Sequence, residues 1–292
     1  MRQRRLVNYR AFRSQLRIPL VAVELSFDGQ FELAQGDADI LVQISGGAVL
    51  WQKERLLNIA VKSVPPDVEN VALLDCDVVF EREDWAEDAE ARLNKRCNII
   101  QLFSEALYLS KESPPDNPGV TNAEYSAPGI MHTGDPSLLS QGILFDGVNR
   151  LLYQPGLAWA VKRTILDEHH LYDAAIVGGG DTLMVASVFG VVERVTNRYV
   201  FNRRRVEHYS RWAAPFSKRI AGQAGALPGT IYHLWHGRLQ DRNYRGRHKF
   251  LEDFDPYSDI QIGSNGAWQW TKPNTELEKR LRANFLNRRE DG

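Results

Sequence analysis

The sequence predicts a layered α/β protein, a sheet flanked by helices, and three observations carry that expectation. Apolar segments of strand length alternate with amphipathic segments of helix length along much of the chain. The run Val71-Ala72-Leu73-Leu74-Asp75-Cys76-Asp77-Val78-Val79-Phe80 is apolar on both alternating faces, as expected of a strand at the centre of a sheet covered on both sides. At 292 residues, 43% hydrophobic and 25% charged, the chain can bury an ample core as one large domain or two modest ones.

The elements follow in order. Residues 2–16 read as an amphipathic helix, because Leu6, Tyr9, Phe12, Arg13 and Leu16 recur at helical spacing. Pro19–Leu25 reads as a strand with Asp28-Gly29 as its turn, and Ile40–Ile44 as a short strand closed by Gly46-Gly47. Trp51–Val64 carries the stripe Leu56, Leu57, Ala60, Val61, Val64 and is stopped by Pro65-Pro66. The acidic strand comes next, then a helix from Asp84, a candidate N-cap, to Leu93. Ile99–Leu109 is apolar enough for a further strand. Ser113–Gly142 is dense in Pro, Gly, Ser, Asn and Asp, the composition of an active-site lid or a disordered loop. Order resumes over Tyr153–Val161, a helix follows near Arg163–His169, and Gly178-Gly179-Gly180-Asp181-Thr182 opens another through Val188. The remainder is rich in arginine and aromatics. It ends in a helix capped by Asn274 or Thr275, with Glu278 completing a capping box and Leu277, Leu281 and Phe285 as the apolar edge.

Composition excludes several classes. No apolar run approaches the length of a membrane span, and the Arg-rich start lacks the apolar segment of a secretory signal. Two cysteines, Cys76 and Cys97, do not make a disulfide framework, and reduced thiols in a cytoplasmic setting fit them best. The net charge of −1 hides segregation. Arg2, Arg4, Arg5, Arg10, Arg13 and Arg17 open the chain without an acid among them; Arg203-Arg204-Arg205 and Arg238, Arg242, Arg245, Arg247 and Lys249 form two more basic blocks. Such clusters beside an acidic strand suit a phosphorylated ligand, or are simply solvated surface.

Asp75 and Asp77 are the most informative pair. Buried carboxylates cost several kcal/mol unless paired or metal-bound, so two of them in an apolar run point to a divalent cation held at the strand's carboxyl end. The same spacing at Asp37/Asp39 and Asp253/Asp255 lies in polar, turn-like surroundings and carries no such implication.

Three blocks together resemble the GT-A glycosyltransferases, in particular the metal-dependent group of β-1,4-galactosyltransferases and polypeptide N-acetylgalactosaminyltransferases. Trp51-Gln52-Lys53-Glu54-Arg55-Leu56-Leu57-Asn58 is similar to that group's F-N-R-A-K-L-L-N helix. Asp75-Cys76-Asp77 follows as its D-x-D. Gly156-Leu157-Ala158-Trp159-Ala160-Val161-Lys162 resembles its G-V-S-A-L-S-K segment and leads to Gly178-Gly179-Gly180-Asp181 in place of W-G-G-E-D. The resemblance spans residues 50–190 and implies a Rossmann-like central mixed sheet flanked by helices, a GT-A domain over residues 1–255 and a C-terminal extension over 256–292. The chain opens at the helix that in the family follows the first strand, so that strand is expected to be missing.

The resemblance also implies roles. Asp77 is the metal ligand and Asp75 its partner, on the ribose or on the metal through water. His236 of His233-Leu234-Trp235-His236-Gly237 completes the metal site, with His233 the runner-up. Carboxylate oxygens suit Mg²⁺ or Mn²⁺, and an imidazole tilts the preference to Mn²⁺. Lys53 and Asn58 line the nucleotide side, or are a solvent-facing lysine and a helix-end asparagine. Arg242, Tyr244 and Arg247 follow the histidines, and the arginines meet phosphate oxygens, or form a surface patch. Asp181 is the base that deprotonates the acceptor hydroxyl, or an N-cap. Gly179 and Gly180 adjoin the acceptor, and Trp159 stacks on a sugar or packs in the core. The single Asp181-Thr182 departs from the family's acidic pair, which leaves inversion open.

The expected function is transfer of a sugar from a nucleotide donor, a UDP-sugar first among candidates, to a hydroxyl acceptor that is a glycan, a small molecule or a modified nucleic acid. The rival classes are a nucleotidyltransferase, with a similar sheet and acidic metal ligands, and a non-catalytic sugar- or nucleotide-binding protein.

Overall fold

The computed structural model describes residues 3–111, 120–126, 153–238, 246–273 and 275–287. Among these, eight helices pack around parallel and antiparallel strands, a mixed α/β fold. Helix α1 (Gln3–Gln15) buries Tyr9 and Phe12 and leads into β1 (Val21–Ser26) and β2 (Ile40–Ser45), which pair in parallel. Helix α2 (Lys53–Ser63) packs on β1. Then come β3 (Asn70–Leu74), β4 (Val78–Phe80) and α3 (Trp85–Lys95). Asp84 stands at the N-cap of α3, yet its carboxylate makes no capping bond and is taken by Arg82 instead, at 2.9 Å.

The apolar run from Val71 to Phe80 is two strands and not one. The chain turns at Asp75-Cys76-Asp77 and passes from one sheet to another. A strand interior would have buried both carboxylates with no room for partners, whereas a turn gives each its own surroundings. Ile99–Leu109 divides in the same way, into β5 (Ile99–Gln101) and β6 (Glu105–Leu109).

After β7 (Val120–Ser126) and β8 (Tyr153–Gln154) come β9 (Ala158–Lys162), α4 (Arg163–His169), α5 (Gly180–Val188), α6 (Val192–Arg198) and α7 (Arg203–Ile220). Strands β10 (Ala224–Ala226) and β11 (Thr230–His233), a 3₁₀ turn at Arg247–Leu251, the hairpin β12 (Ile260–Ile262) and β13 (Trp268–Trp270), and α8 (Glu276–Leu286) complete the order. The described strands form four sheets and not one central sheet: the β1–β2 and β12–β13 pairs, a four-stranded sheet β10-β5-β9-β3 in which β9 is antiparallel to both neighbours, and a five-stranded sheet β4-β11-β6-β7-β8. Most of the Ser113–Gly142 loop and the alternative cap Asn274 lie outside the described residues. Thr275 caps α8, accepting from the Glu278 N–H at 3.1 Å.

Helix α7 is the largest element the sequence reading missed. Its inward positions Tyr209, Ala213, Phe216 and Ile220 have helical spacing, but Pro215 lies inside it and Arg203–Arg205 opens it. Residues 256–287 share their core with the rest: Ile260, Trp268 and Leu281 lie in one buried cluster with Ala48, Leu50 and Ile176. The hairpin also clamps the start of α2. Gln52 Oε1 accepts from the Trp268 N–H at 2.7 Å, and Arg55 donates to the Gly266 carbonyl at 2.7 Å. No helix among the described residues is long and apolar enough to cross a membrane.

Candidate metal centre and the adjoining acidic cleft

Sheet pairing brings the two histidines to Asp77. In β11, His233 stands opposite Val78 of β4, and the Leu234 N–H donates to the Asp77 carbonyl at 2.8 Å, extending the ladder to Asp77. His236 returns within one turn of chain, and Gly237 after it has φ +95°, a conformation that glycine adopts without steric cost. Asp77, His233 and His236 are 4–6% exposed. Asp77 Oδ2 lies 3.0 Å from His236 Nε2, Asp77 Oδ1 3.8 Å from His233 Nε2, and the two Nε2 atoms 3.3 Å apart. These three form a group able to hold a cation.

The donor set fits a divalent metal. Ligands at about 2.0–2.2 Å from one cation lie roughly 3 Å from each other, the spacing seen here. Asp77 Oδ1 is buried with no hydrogen-bond partner among the described residues, a costly arrangement unless a cation satisfies it. Burial opposes ionisation of Asp77, but His233, the hydrogen bond and charge of His236, and Arg5 outweigh it and hold the carboxyl well below the usual carboxylate range. Mixed imidazole and carboxylate donors suit Mn²⁺ or Zn²⁺ better than Ca²⁺.

Two residues earlier the surroundings change. The Asp75 N–H donates to the Leu157 carbonyl at 2.7 Å, continuing the β3–β9 pairing, and its Oδ1 meets Lys53 Nζ at 2.6 Å. The same ammonium lies 2.9 Å from Asp181 Oδ2, so Lys53 bridges the turn and the first turn of α5. Burial lowers the Lys53 affinity for its proton, but Asp181, Asp75 and Glu54 more than reverse this and raise its pKa well above the ordinary value. Burial raises Asp75 to about 6 despite Lys53, with Asp181 and Asp77 adding to the rise. Asp75 is thus ion-paired inside the protein and is absent from the Asp77–His233–His236 group. Between the two, Cys76 turns toward the core packed under α1.

Glu54 is the functional-looking residue that sequence reasoning passed over. It is 4% exposed, its Oε2 accepts from Trp51 Nε1 at 3.0 Å, and its Oε1 has no partner among the described residues. Burial, with Asp181 close by, raises its pKa to about 8, so it carries a proton at neutral pH. Together Lys53, Glu54, Asp75 and Asp181 line a cleft walled by Trp159, Tyr172 and Met184.

The remaining candidates take other positions. Asn58 is buried and binds protein, not solvent: its amide donates to the Leu171 carbonyl at 3.0 Å and to Asp173 at 3.1 Å, and accepts from the Leu171 N–H at 2.8 Å. Trp159 is 2% exposed, donates to the Pro155 carbonyl at 2.9 Å and is a core residue at the back of the cleft, so it offers no open stacking face. Gly179 and Gly180 are packing glycines. A Cβ on Gly179 would lie 2.9 Å from the Tyr199 ring, and one on Gly180 2.3 Å from Glu54 Oε1. Arg247 is 5% exposed, its guanidinium against Gly178 and beside the stacked Tyr199 and His248, outside the Asp77 group. Arg242 and Tyr244 lie outside the described residues.

The comparisons with known proteins leave this site to be read from its own chemistry: no protein-family model matches the chain, and no curated protein matches it.

Proposed function

We propose that the chain is a metal-dependent glycosyltransferase of GT-A-like architecture, acting on a nucleotide-sugar donor, a UDP-sugar first among candidates, and a hydroxyl acceptor. The observation that carries this reading is the convergence of Asp77, His233 and His236, from distant parts of the chain, beside a cleft holding Asp75, Lys53 and Asp181. Two free cysteines agree with a cytoplasmic setting.

Asp77, His233 and His236 would hold Mn²⁺, which two imidazoles favour over Mg²⁺, and when bound it would supply Lewis-acid neutralisation of the diphosphate leaving group. Asp181 receives the proton of the acceptor hydroxyl as it attacks the anomeric carbon, and Lys53 fixes that carboxylate in position. Asp75 holds Lys53 from the other side. Protonated Glu54 offers a hydrogen-bond donor to a ligand oxygen in the cleft.

The test is calorimetric titration with UDP, in Mn²⁺ and then in chelator. Metal-dependent binding that Asp77→Ala and His236→Ala each abolish, with the far-ultraviolet circular dichroism unchanged, supports the reading. Equal binding by both variants rejects it.

A further inference from the structure

Arg247, expected to meet phosphate, lies against Gly178 and away from Asp77; α1 puts a different cation beside Asp77. Arg5 Nη2 lies 3.4 Å from His236 Nδ1, and Arg5 is among the charges that stabilise ionised Asp77. Next to it Arg4 lies over the Trp235 ring, 5.5 Å from the centroid, and Lys111 lies over the same ring at 5.1 Å. The Asn8 amide donates to the Trp235 carbonyl at 3.1 Å and ties α1 to the segment that carries His236. Arg5 thus reaches the buried carboxylate–imidazole group itself, while Arg4 and Lys111 flank Trp235, the residue before His236.

The chemistry of the Arg5 contact is unusual for a metal centre. A guanidinium has donors only, so while His236 Nδ1 accepts from Arg5 the ring proton sits on Nε2 toward Asp77. Ligating a metal through Nε2 moves that proton to Nδ1, which then faces Arg5 donor to donor. The second nitrogen of a metal-bound histidine ordinarily donates to a carboxylate or carbonyl. A fixed cation there repels a divalent ion unless an anion with several charges comes between them. A diphosphate does this, since its oxygens bind a hard cation and an arginine fork at once.

We propose that α1 forms the diphosphate-recognition side of the metal centre, with Arg5 the principal contact and Arg4 and Lys111 its rim. This rests on the donor-site reading above and adds which residues hold the leaving group. It also makes metal and diphosphate bind cooperatively, each strengthening the other's affinity by the same factor.

The experiment is calorimetry on the full chain and on Arg5→Ala, Arg5→Lys and Arg10→Ala, the last removing an exposed charge from the same helix. Each protein is titrated with Mn²⁺ alone, then with UDP, inorganic pyrophosphate and uridine at fixed Mn²⁺. The proposal expects Arg5→Ala to weaken UDP and pyrophosphate about 10-fold or more. Mn²⁺ alone should bind that variant at least as tightly as the parent, Arg5→Lys should restore part of the loss, and Arg10→Ala should match the parent. UDP binding by Arg5→Ala equal to the parent's overturns the proposal and leaves the donor-site reading standing. Loss of Mn²⁺ binding in Arg5→Ala also overturns it, because Arg5 would then serve only to position His236. Failure of the parent to bind UDP or pyrophosphate in Mn²⁺ removes the donor-site reading and this proposal together.

Discussion

Asp75 and Asp77 lie two positions apart in one turn, yet they end in opposite electrostatic situations. Asp77 faces two imidazoles, has one oxygen with no hydrogen bond among the described residues, and is shielded from water. Asp75 faces a lysine that the fold itself supplies and shares it with Asp181. The first is a site with capacity left over for an exchangeable cation; the second is already neutralised by a permanent one. Two acids two positions apart are therefore not one feature. Which cation each carboxylate meets is decided by the strand that pairs next to it, β11 for Asp77 and β9 for Asp75.

The sharpest way to break this comparison is to delete each carboxylate. Asp77→Ala should weaken Mn²⁺ at least about 100-fold, since it removes a first ligand where outer partners alone are worth 10- to 100-fold. Asp75→Asn should leave Mn²⁺ affinity within a few-fold, because Asp75 is occupied by Lys53. Isothermal titration of Mn²⁺ decides it, and equal losses in the two variants would mean that both carboxylates serve the metal.

Next in size is the lysine. Lys53→Met leaves Asp75 and Asp181 facing each other with no cation between them. Removing one partner of a buried pair costs about 3–5 kcal/mol, and partial exposure of these side chains (22–30%) reduces this to about 2–3 kcal/mol. Urea denaturation at pH 7 measures it. Adding Asp75→Asn to Lys53→Met should recover part of the loss, which a purely steric role for Lys53 would not allow.

A smaller effect tests how the cleft floor is built. Gly180→Ala would place a methyl 2.3 Å from Glu54 Oε1 and 2.7 Å from its Cγ, costing about 1–2 kcal/mol of overpacking. The double variant with Glu54→Ala should cost less than the two single changes added together. Additive losses in denaturant melts would place the strain elsewhere.

How much of this was legible in the sequence follows from how local each signal is. The histidines of His233-Leu234-Trp235-His236 and the two aspartates are short motifs whose chemistry is visible in the residues themselves. The boundaries of α1, α4 and α5 were equally readable, from periodicity and from the glycines before Asp181. The turn at Asp75–Asp77 was not, because apolar residues continue on both sides of it and only sheet pairing shows the break. Arg205 looked like surface in a basic block, but α7 turns it inward over the Phe201 ring, 3.8 Å from the centroid. Arg5 looked like one of six arginines in an amphipathic start; nothing local marks the one that reaches His236.

Glu54 was the hardest to foresee. It sits beside Lys53 on a helix, where a carboxylate is ordinarily solvated, and its burial comes from Gly180, far along the chain. Its protonation gives the most specific prediction. With a folded pKa of about 8 against 4.5 for the ordinary group, the native state holds a proton there that the unfolded chain has released. Between those values the native state binds more protons than the unfolded state, so this group makes stability fall as pH rises from about 4.5 to about 8, and adds no slope beyond. Glu54→Gln keeps the shape and has no proton to lose. The stability of Glu54→Gln relative to the parent should therefore rise from pH 5 to pH 9, by at least about 1 kcal/mol. Asp75 titrates in both proteins and largely cancels in the difference. Guanidinium denaturation at the two pH values provides the measurement. A pH-independent difference would mean that Glu54 is ionised in the folded protein, and Lys53 would then be balancing three carboxylates in the cleft.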